Sequence, residues 1–135
     1  MILTFVVNQS IDKVFEYLTD MKKFVSVHPV ISKIDKLSER KYLVHETLKL
    51  GFIPFSFTYP VEIDKNVSDK TIIMIATIMK MVKIEIKYDL SMDKNSTIIN
   101  ETIIFKSILP VTLIMEKIFT KQHSLLFEKI NNLTQ

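Results

Sequence analysis

Between residues 30 and 107 the chain alternates apolar and polar side chains with a period of two, and on either side of that stretch the period lengthens to that of a helix. The clearest alternation is Val82-Lys-Ile-Glu-Ile-Lys-Tyr-Asp-Leu90. It sets Val82, Ile84, Ile86, Tyr88 and Leu90 on one face and four charged residues on the other, one dry and one wet. Ile53, Phe55, Phe57, Tyr59, Val61 and Ile63 repeat the pattern with larger side chains. On this reading residues 31–37, 42–50, 53–64, 71–79, 82–92 and 97–106 are strands, after a first β-branched and aromatic strand at 2–7. The intervening turns are short and polar, apart from the lone glycine, Gly51, and the segment Met79 to Met81; together they predict an antiparallel meander.

The helical stretches carry their own signals. Ser10 suits an N-cap, Asp12 sits where negative charge meets the positive end of a helix dipole, and Ile11, Val14, Phe15 and Leu18 recur at helical spacing. A second short helix, Met21 to Val27, should stop at His28-Pro29, because a residue before proline avoids helical geometry. Pro110 suits the first position of a last helix whose stripe runs through Met115, Ile118, Phe119, Leu126, Ile130 and Leu133. At 1.5 Å per residue that helix would be roughly 33 Å long.

The expected fold class is therefore α+β. One strand and two short helices are followed by six more strands, and the curved sheet of about seven strands wraps round a long C-terminal helix. A length of 135 residues suits a single domain spanning 1–135. Composition narrows the chemistry by exclusion. One glycine rules out loops that cradle phosphate between closely spaced glycines, and the absence of cysteine rules out a disulfide framework, a thiolate metal site and a cysteine nucleophile. The formal charge is +3, nearly all of it lysine interleaved with acidic neighbours, and Arg40 is the only arginine. That pattern solvates a surface and speaks against nucleic acid, whose readers lean on arginine; a weak attraction to anionic lipid headgroups stays open. No segment has the ~18 uninterrupted apolar residues of a membrane span, and the apolar start lacks a basic leader, so a cytoplasmic protein without integral membrane association is expected.

Residues Val6-Val-Asn-Gln-Ser-Ile-Asp-Lys-Val-Phe-Glu-Tyr-Leu-Thr-Asp20, followed by Phe24, His28-Pro29 and a strand from Val30, resemble the opening of the START-like (SRPBCC) superfamily. That superfamily includes birch-pollen allergens, lipid-transfer START domains and polyketide cyclase/dehydrase-like bacterial proteins. The resemblance implies the helix-grip fold, with a ligand cavity between sheet and long helix. The chain departs from the pattern at Ile11, where relatives usually carry proline, and in lacking the glycines many keep between central strands. A fatty-acid-binding-protein or lipocalin barrel has similar size. The former ends on a strand and the latter carries Gly-x-Trp near its start, whereas this chain has no tryptophan and ends on a helix pattern.

Candidate site residues follow from the inward faces. Phe55, Phe57, Tyr59, Met74, Tyr88, Met115 and Phe119 are candidate ligand-lining residues, with Gln122 interrupting the last helix's apolar stripe. Methionine adapts to irregular apolar guests; the same side chains would equally well fill a solid core. Glu46 and Glu101 fall on apolar faces, where a carboxylate needs a partner or neutralises itself, and they are the candidate catalytic residues; a one-residue slip would put either into water. His28, His45 and His123 lack ligand spacing, so neither a metal nor any other cofactor is expected, and His28 reads as helix-terminal structure. Three functions fit: a pocket for a hydrophobic or amphipathic small molecule (lipid, isoprenoid or aromatic metabolite), a cyclase- or dehydratase-like enzyme using Glu46 with Tyr88 or Glu101, and a protein-interaction module. Ile73 and Ile75, facing outward, point to association of copies, a homodimer in the simplest case.

Overall fold

The computed structural model describes residues 1–134, with the backbone alone at Leu50. The element order is β1 (Ile2–Val7), α1 (Ile11–Thr19), α2 (Met21–Val27), β2 (Ile31–Lys36), β3 (Lys41–Leu50), β4 (Ile53–Asn66), β5 (Thr71–Ile78), β6 (Val82–Asp93), β7 (Ser96–Ser107) and α3 (Thr112–Asn131). The strands form one antiparallel sheet in the order β1-β7-β6-β5-β4-β3-β2, so only the β1–β7 pairing is non-sequential. This is the α+β helix-grip arrangement: a curved sheet whose inner face is covered by α3, with α1 and α2 closing one side.

Period-two alternation translates directly into burial. Ile72, Met74 and Ala76 of β5 and Ile84, Ile86, Tyr88 and Leu90 of β6 point into the core. In β7 the buried set is Thr97, Ile99, Glu101 and Ile103, which puts Glu101 inside the protein. Ile73 and Ile75 lie on the other face, half-buried. Their cross-strand partners are Asp64 and Lys87 for the first and Glu62 and Glu85 for the second, so charged neighbours flank them there.

Caps fix the helices. Ser10 Oγ accepts the Lys13 N–H at 3.2 Å, and Asp20 both ends α1 and caps α2, its carboxylate accepting the Lys22 and Lys23 N–H groups. α3 starts at Thr112, two residues beyond the start expected at Pro110. The Val111 N–H donates to the Leu109 carbonyl at 2.9 Å, closing a γ-turn centred on Pro110, so the fixed φ of proline serves the turn and not the helix.

α3 docks through its C-terminal half. Leu126, Phe127 and Ile130 are sealed from solvent, and Phe127 packs on Phe5 of β1 with ring centroids 4.7 Å apart. Gln9 holds the end of the helix: its Nε2 donates to the carbonyls of Asn131 and Leu133, satisfying acceptors that a helix terminus leaves free. The first turn of α3 is far less covered, with Leu113 and Ile114 exposed. No helix among the described residues is long and apolar enough to cross a membrane.

Because Leu126 has no solvent exposure at the centre of this contact, Leu126→Ala should cost about 3 kcal/mol. Urea unfolding followed by far-UV circular dichroism reads this directly; a loss under about 1 kcal/mol would mean that α3 is not clamped to the sheet in this way.

Candidate functional site

Between the sheet and the middle of α3 lies a narrow cavity of about 60 Å³. The interior is thus mostly filled by its own side chains, and the space left suits a few atoms of a guest. Its walls come from every layer: Phe24 and His28 from α2 and its end, Val44 and Glu46 from β3, Tyr59 and Val61 from β4, Met74 from β5, Ile84, Ile86 and Tyr88 from β6, and Phe119, Gln122 and His123 from α3. Beside it, a groove of about 710 Å³ runs between the β2–β3 edge and α3, flanked by Lys49 and Lys121. Ile31 and Gln122 belong to both spaces and form the partition between them.

The apolar walls enclose a cluster of polar groups. Glu46 is buried, and its carboxylate accepts the Tyr59 hydroxyl at 2.5 Å. Burial raises the Glu46 pKa; the bond from Tyr59, the neighbouring Gln122 amide and the nearby His123 oppose the rise without cancelling it. Tyr59 is pushed well above the usual phenol range by burial first and by the Glu46 carboxylate second.

Beneath this pair sits another. Glu101, fully buried, hydrogen-bonds His123 Nδ1 through Oε1. That bond leaves the other ring nitrogen of His123 to face the cavity which the ring lines. Glu101 Oε2 and the Tyr88 hydroxyl are both buried without a hydrogen-bond partner, and the two residues are directly opposed across β6 and β7. Burial and then the Glu101 carboxylate hold the Tyr88 hydroxyl protonated.

His28 forms the third polar wall. Its Nδ1 accepts the backbone N–H groups of Val30 and Ile31 at 3.3 and 3.2 Å, which requires the ring proton to sit on Nε2. Burial, with His123 nearby, lowers its pKa to about 3. The ring therefore stays neutral and keeps Nε2–H as a donor, and it lies edge-on to His123 with centroids 6.3 Å apart.

Of the residues singled out in the sequence, Glu46, Tyr59, Met74, Tyr88, Phe119 and Gln122 line the cavity. Glu101 lies behind its wall, reaching it through His123. Phe55 is exposed and outside the cavity, which corrects the expectation that it lines the pocket. Residues 53–60 of β4 run past the end of the β5 pairing, so nothing flanks Phe55 on that side. Phe57 is half-buried and off the wall, bridging Phe55 and Tyr59 as the middle ring of an aromatic row. Met115 is half-buried on the less covered half of α3, a turn short of the cavity. His123 and His28 join the site although the sequence pattern offers them only as metal ligands or helix-end structure. A signal for His123 is present in the chain: it continues the spacing of Phe119, Leu126, Phe127 and Ile130.

Residues 4–107 match the family model of CoxG, a component of carbon monoxide dehydrogenase. The chain belongs to the CoxG family. Its fold is also that of solved START-like proteins. A START superfamily protein from Mycobacterium smegmatis superposes with a TM-score of 0.81 at 13% identity, covering 99% of this chain and 98% of that one. Ara h 8.0201 gives 0.72 at 16% identity, with 97% and 96% covered. The Zhui aromatase/cyclase from Streptomyces sp. R1128 gives 0.68 at 13% identity, with 96% and 89% covered. At these identities the likeness establishes the fold alone. No curated protein matches the sequence.

The state of His28 makes this CoxG-family protein acid-sensitive. The unfolded chain takes up the His28 proton near the ordinary value of 6.5, whereas the folded chain resists it until about 3. Its contribution to stability is complete above pH 6.5 and drains away as the pH falls toward 3. In proton NMR the His28 ring signals should not move between about pH 7.5 and 4.5, while urea stability declines below pH 6.5. A His28 that titrates near 6.5 would contradict this buried, neutral placement of the ring.

Proposed function

We propose that this protein binds a small amphipathic molecule, inserting the ligand's polar end among Glu46, Tyr59, Gln122 and His123 and laying its apolar body along the groove between β3 and α3. One observation carries the reading: a cluster of buried, mutually bonded polar side chains surrounds a small cavity, and a much larger groove shares two wall residues with it. Buried polar groups at this density are expensive for a core and gain a reason when they receive a guest. The narrow cavity is too small for a whole lipid or polyketide, so binding requires Gln122 and Ile31 to move aside and join the two spaces. Wall groups of both kinds are present, with His28 Nε2–H as donor and the Glu46 carboxylate as acceptor, so a ligand bearing a hydroxyl or carbonyl fits best. The ligand is hydrophobic in body and needs no cofactor, and a cytoplasmic location suits the role.

A second reading is favoured by the Glu101–His123 pair. A histidine held by a buried carboxylate is oriented to take a proton from a guest, and Glu46, with its raised pKa, is placed to give one back. The Zhui aromatase/cyclase, which shares the fold, supports an acid–base enzyme of that general kind.

Native mass spectrometry of gently purified protein and thermal shifts against long-chain alcohols and fatty acids test binding. A hydroxylated amphiphile should raise the Tm of the wild type, and Glu46→Gln should weaken that ligand about tenfold, the worth of one charge-assisted hydrogen bond. No co-purified mass, no shift with any amphiphile and an unchanged response in Glu46→Gln would overturn the reading.

A further inference from the structure

The two borders of the sheet are not alike. β2 carries Lys33, Asp35 and Lys36 and a register shift between Ile31 and Lys33, charges and an irregularity that discourage a further strand. The stretch of β4 that overruns β5 is guarded in another way. The Ile63 N–H donates to the Arg40 carbonyl, so odd-numbered residues of β4 bond β3 and even-numbered ones turn their backbone outward. Two of those are Pro54 and Pro60, which have no N–H to give.

β1, the other border, has neither guard. From Met1 to Ile11 the chain contains no charged side chain, no proline and no glycine. Met1 and Ile103 exchange both backbone hydrogen bonds, at 2.9 and 2.8 Å, and this sets the alternation along the strand. Leu3, Phe5 and Val7 bond β7, while Ile2, Thr4 and Val6 turn their N–H and C=O groups away from the sheet. Among the described residues nothing bonds those outward groups. The side chains of Ile2 and Val6 are 73% and 62% exposed. An uncharged strand with a free row of donors and acceptors is a template for another strand.

The strand is complementary to itself. Two β1 strands laid antiparallel about Thr4 set Ile2 against Val6 of the second copy, Thr4 against Thr4, and Val6 against Ile2. Each of these pairs closes two backbone hydrogen bonds, and the exposed β-branched side chains become cross-strand neighbours. Charge favours the same arrangement. α3 runs alongside β1, with Glu116, Lys117 and Lys121 by the Met1 end and Glu128 by the Val7 end. Antiparallel pairing brings the first end, net positive, to the second end of the other copy, and among the described residues none of these four side chains is in an ion pair. Use of β1 by both copies closes the contact on a two-fold axis, and the guarded β2 stops the sheet from growing at its other border.

We propose that β1 is a dimerisation edge, through which two copies join antiparallel at Ile2, Thr4 and Val6 into one continuous sheet. The contact lies there and not at Ile73 and Ile75, whose cross-strand neighbours are charged. It is independent of the cavity and of what the cavity binds.

Sedimentation velocity of the full chain over a concentration series tests it. The wild type should be largely dimeric by about 100 μM, in keeping with a small interface of micromolar affinity. Ile2→Lys/Val6→Lys sets like charges against each other at two pairs and should weaken the dimer about thirtyfold. The Tm of the dilute protein should not change, because both side chains are exposed. Ile2→Lys/Val6→Glu sets opposite charges across the same pairs and should dimerise as the wild type does, an outcome peculiar to this register. Hydrogen exchange at the Ile2, Thr4 and Val6 amides should slow as the protein is concentrated. A wild type that stays monomeric over the series overturns the proposal and leaves the edge to a strand of another protein. It is equally overturned by a dimer that the double lysine variant does not weaken, or by a lysine–glutamate variant that dissociates as the double lysine variant does.

Discussion

The seating of α3 on the sheet decides the rest of this structure. A sheet with one apolar face needs a cover, and the only long helix described is α3, whose sealed residues Leu126, Phe127 and Ile130 fall in its C-terminal half. Clamping one half leaves the other to diverge. The cavity opens where the helix begins to leave the sheet, at Phe119, Gln122 and His123, and the groove widens beside it. The exposed first turn is the far end of the same divergence.

Polar groups accumulate at that point of departure. Glu46 with Tyr59, and Glu101 with His123, form two layers, with the Glu101–His123 bond lying deeper, Gln122 beside the first pair and the unbonded Tyr88 hydroxyl on the strand opposite Glu101. Buried ionisable pairs of this kind seldom improve stability over apolar packing, although breaking one leaves an unpaired buried group at considerable cost. With Glu101 on β7 and His123 on α3, the Glu101–His123 bond forms in one register of the helix only, while the Tyr88 hydroxyl and Glu101 Oε2 stay without partners. That specificity accompanies the site whichever guest it receives.

Much of the architecture is legible in the chain because period-two alternation is a direct image of a half-buried sheet. The strands from Tyr42 to Lys106 are found within a residue or two of the expected ends, and Ser10 and the Met21–Val27 helix stand where their cap and proline signals put them. What cannot be read is length beyond a neighbour. Nothing local to Phe55 says that β5 stops before reaching it, so alternation alone places it in the pocket. Pro110 misleads for a related reason: its fixed φ serves a γ-turn as well as a helix start. Glu46 and Glu101 are legible as polar residues on dry faces, but the histidine joining them to one site lies 22 residues beyond Glu101, on a helix whose rotation the strand pattern does not specify.

The central claim is that the buried polar cluster receives the polar end of a guest, and histidine ring nitrogens report on it without a mutation. The protein should be labelled with nitrogen-15 in its histidines and titrated with dodecanol while the ring nitrogens are followed by NMR. The account predicts saturable shifts at His28 and His123, which line the cavity, and none at His45, which is paired with Asp35 on the outer surface. Unmoved rings at His28 and His123, with dodecanol perturbing only the backbone amides of Lys49 and Ile118 in the groove, would contradict it.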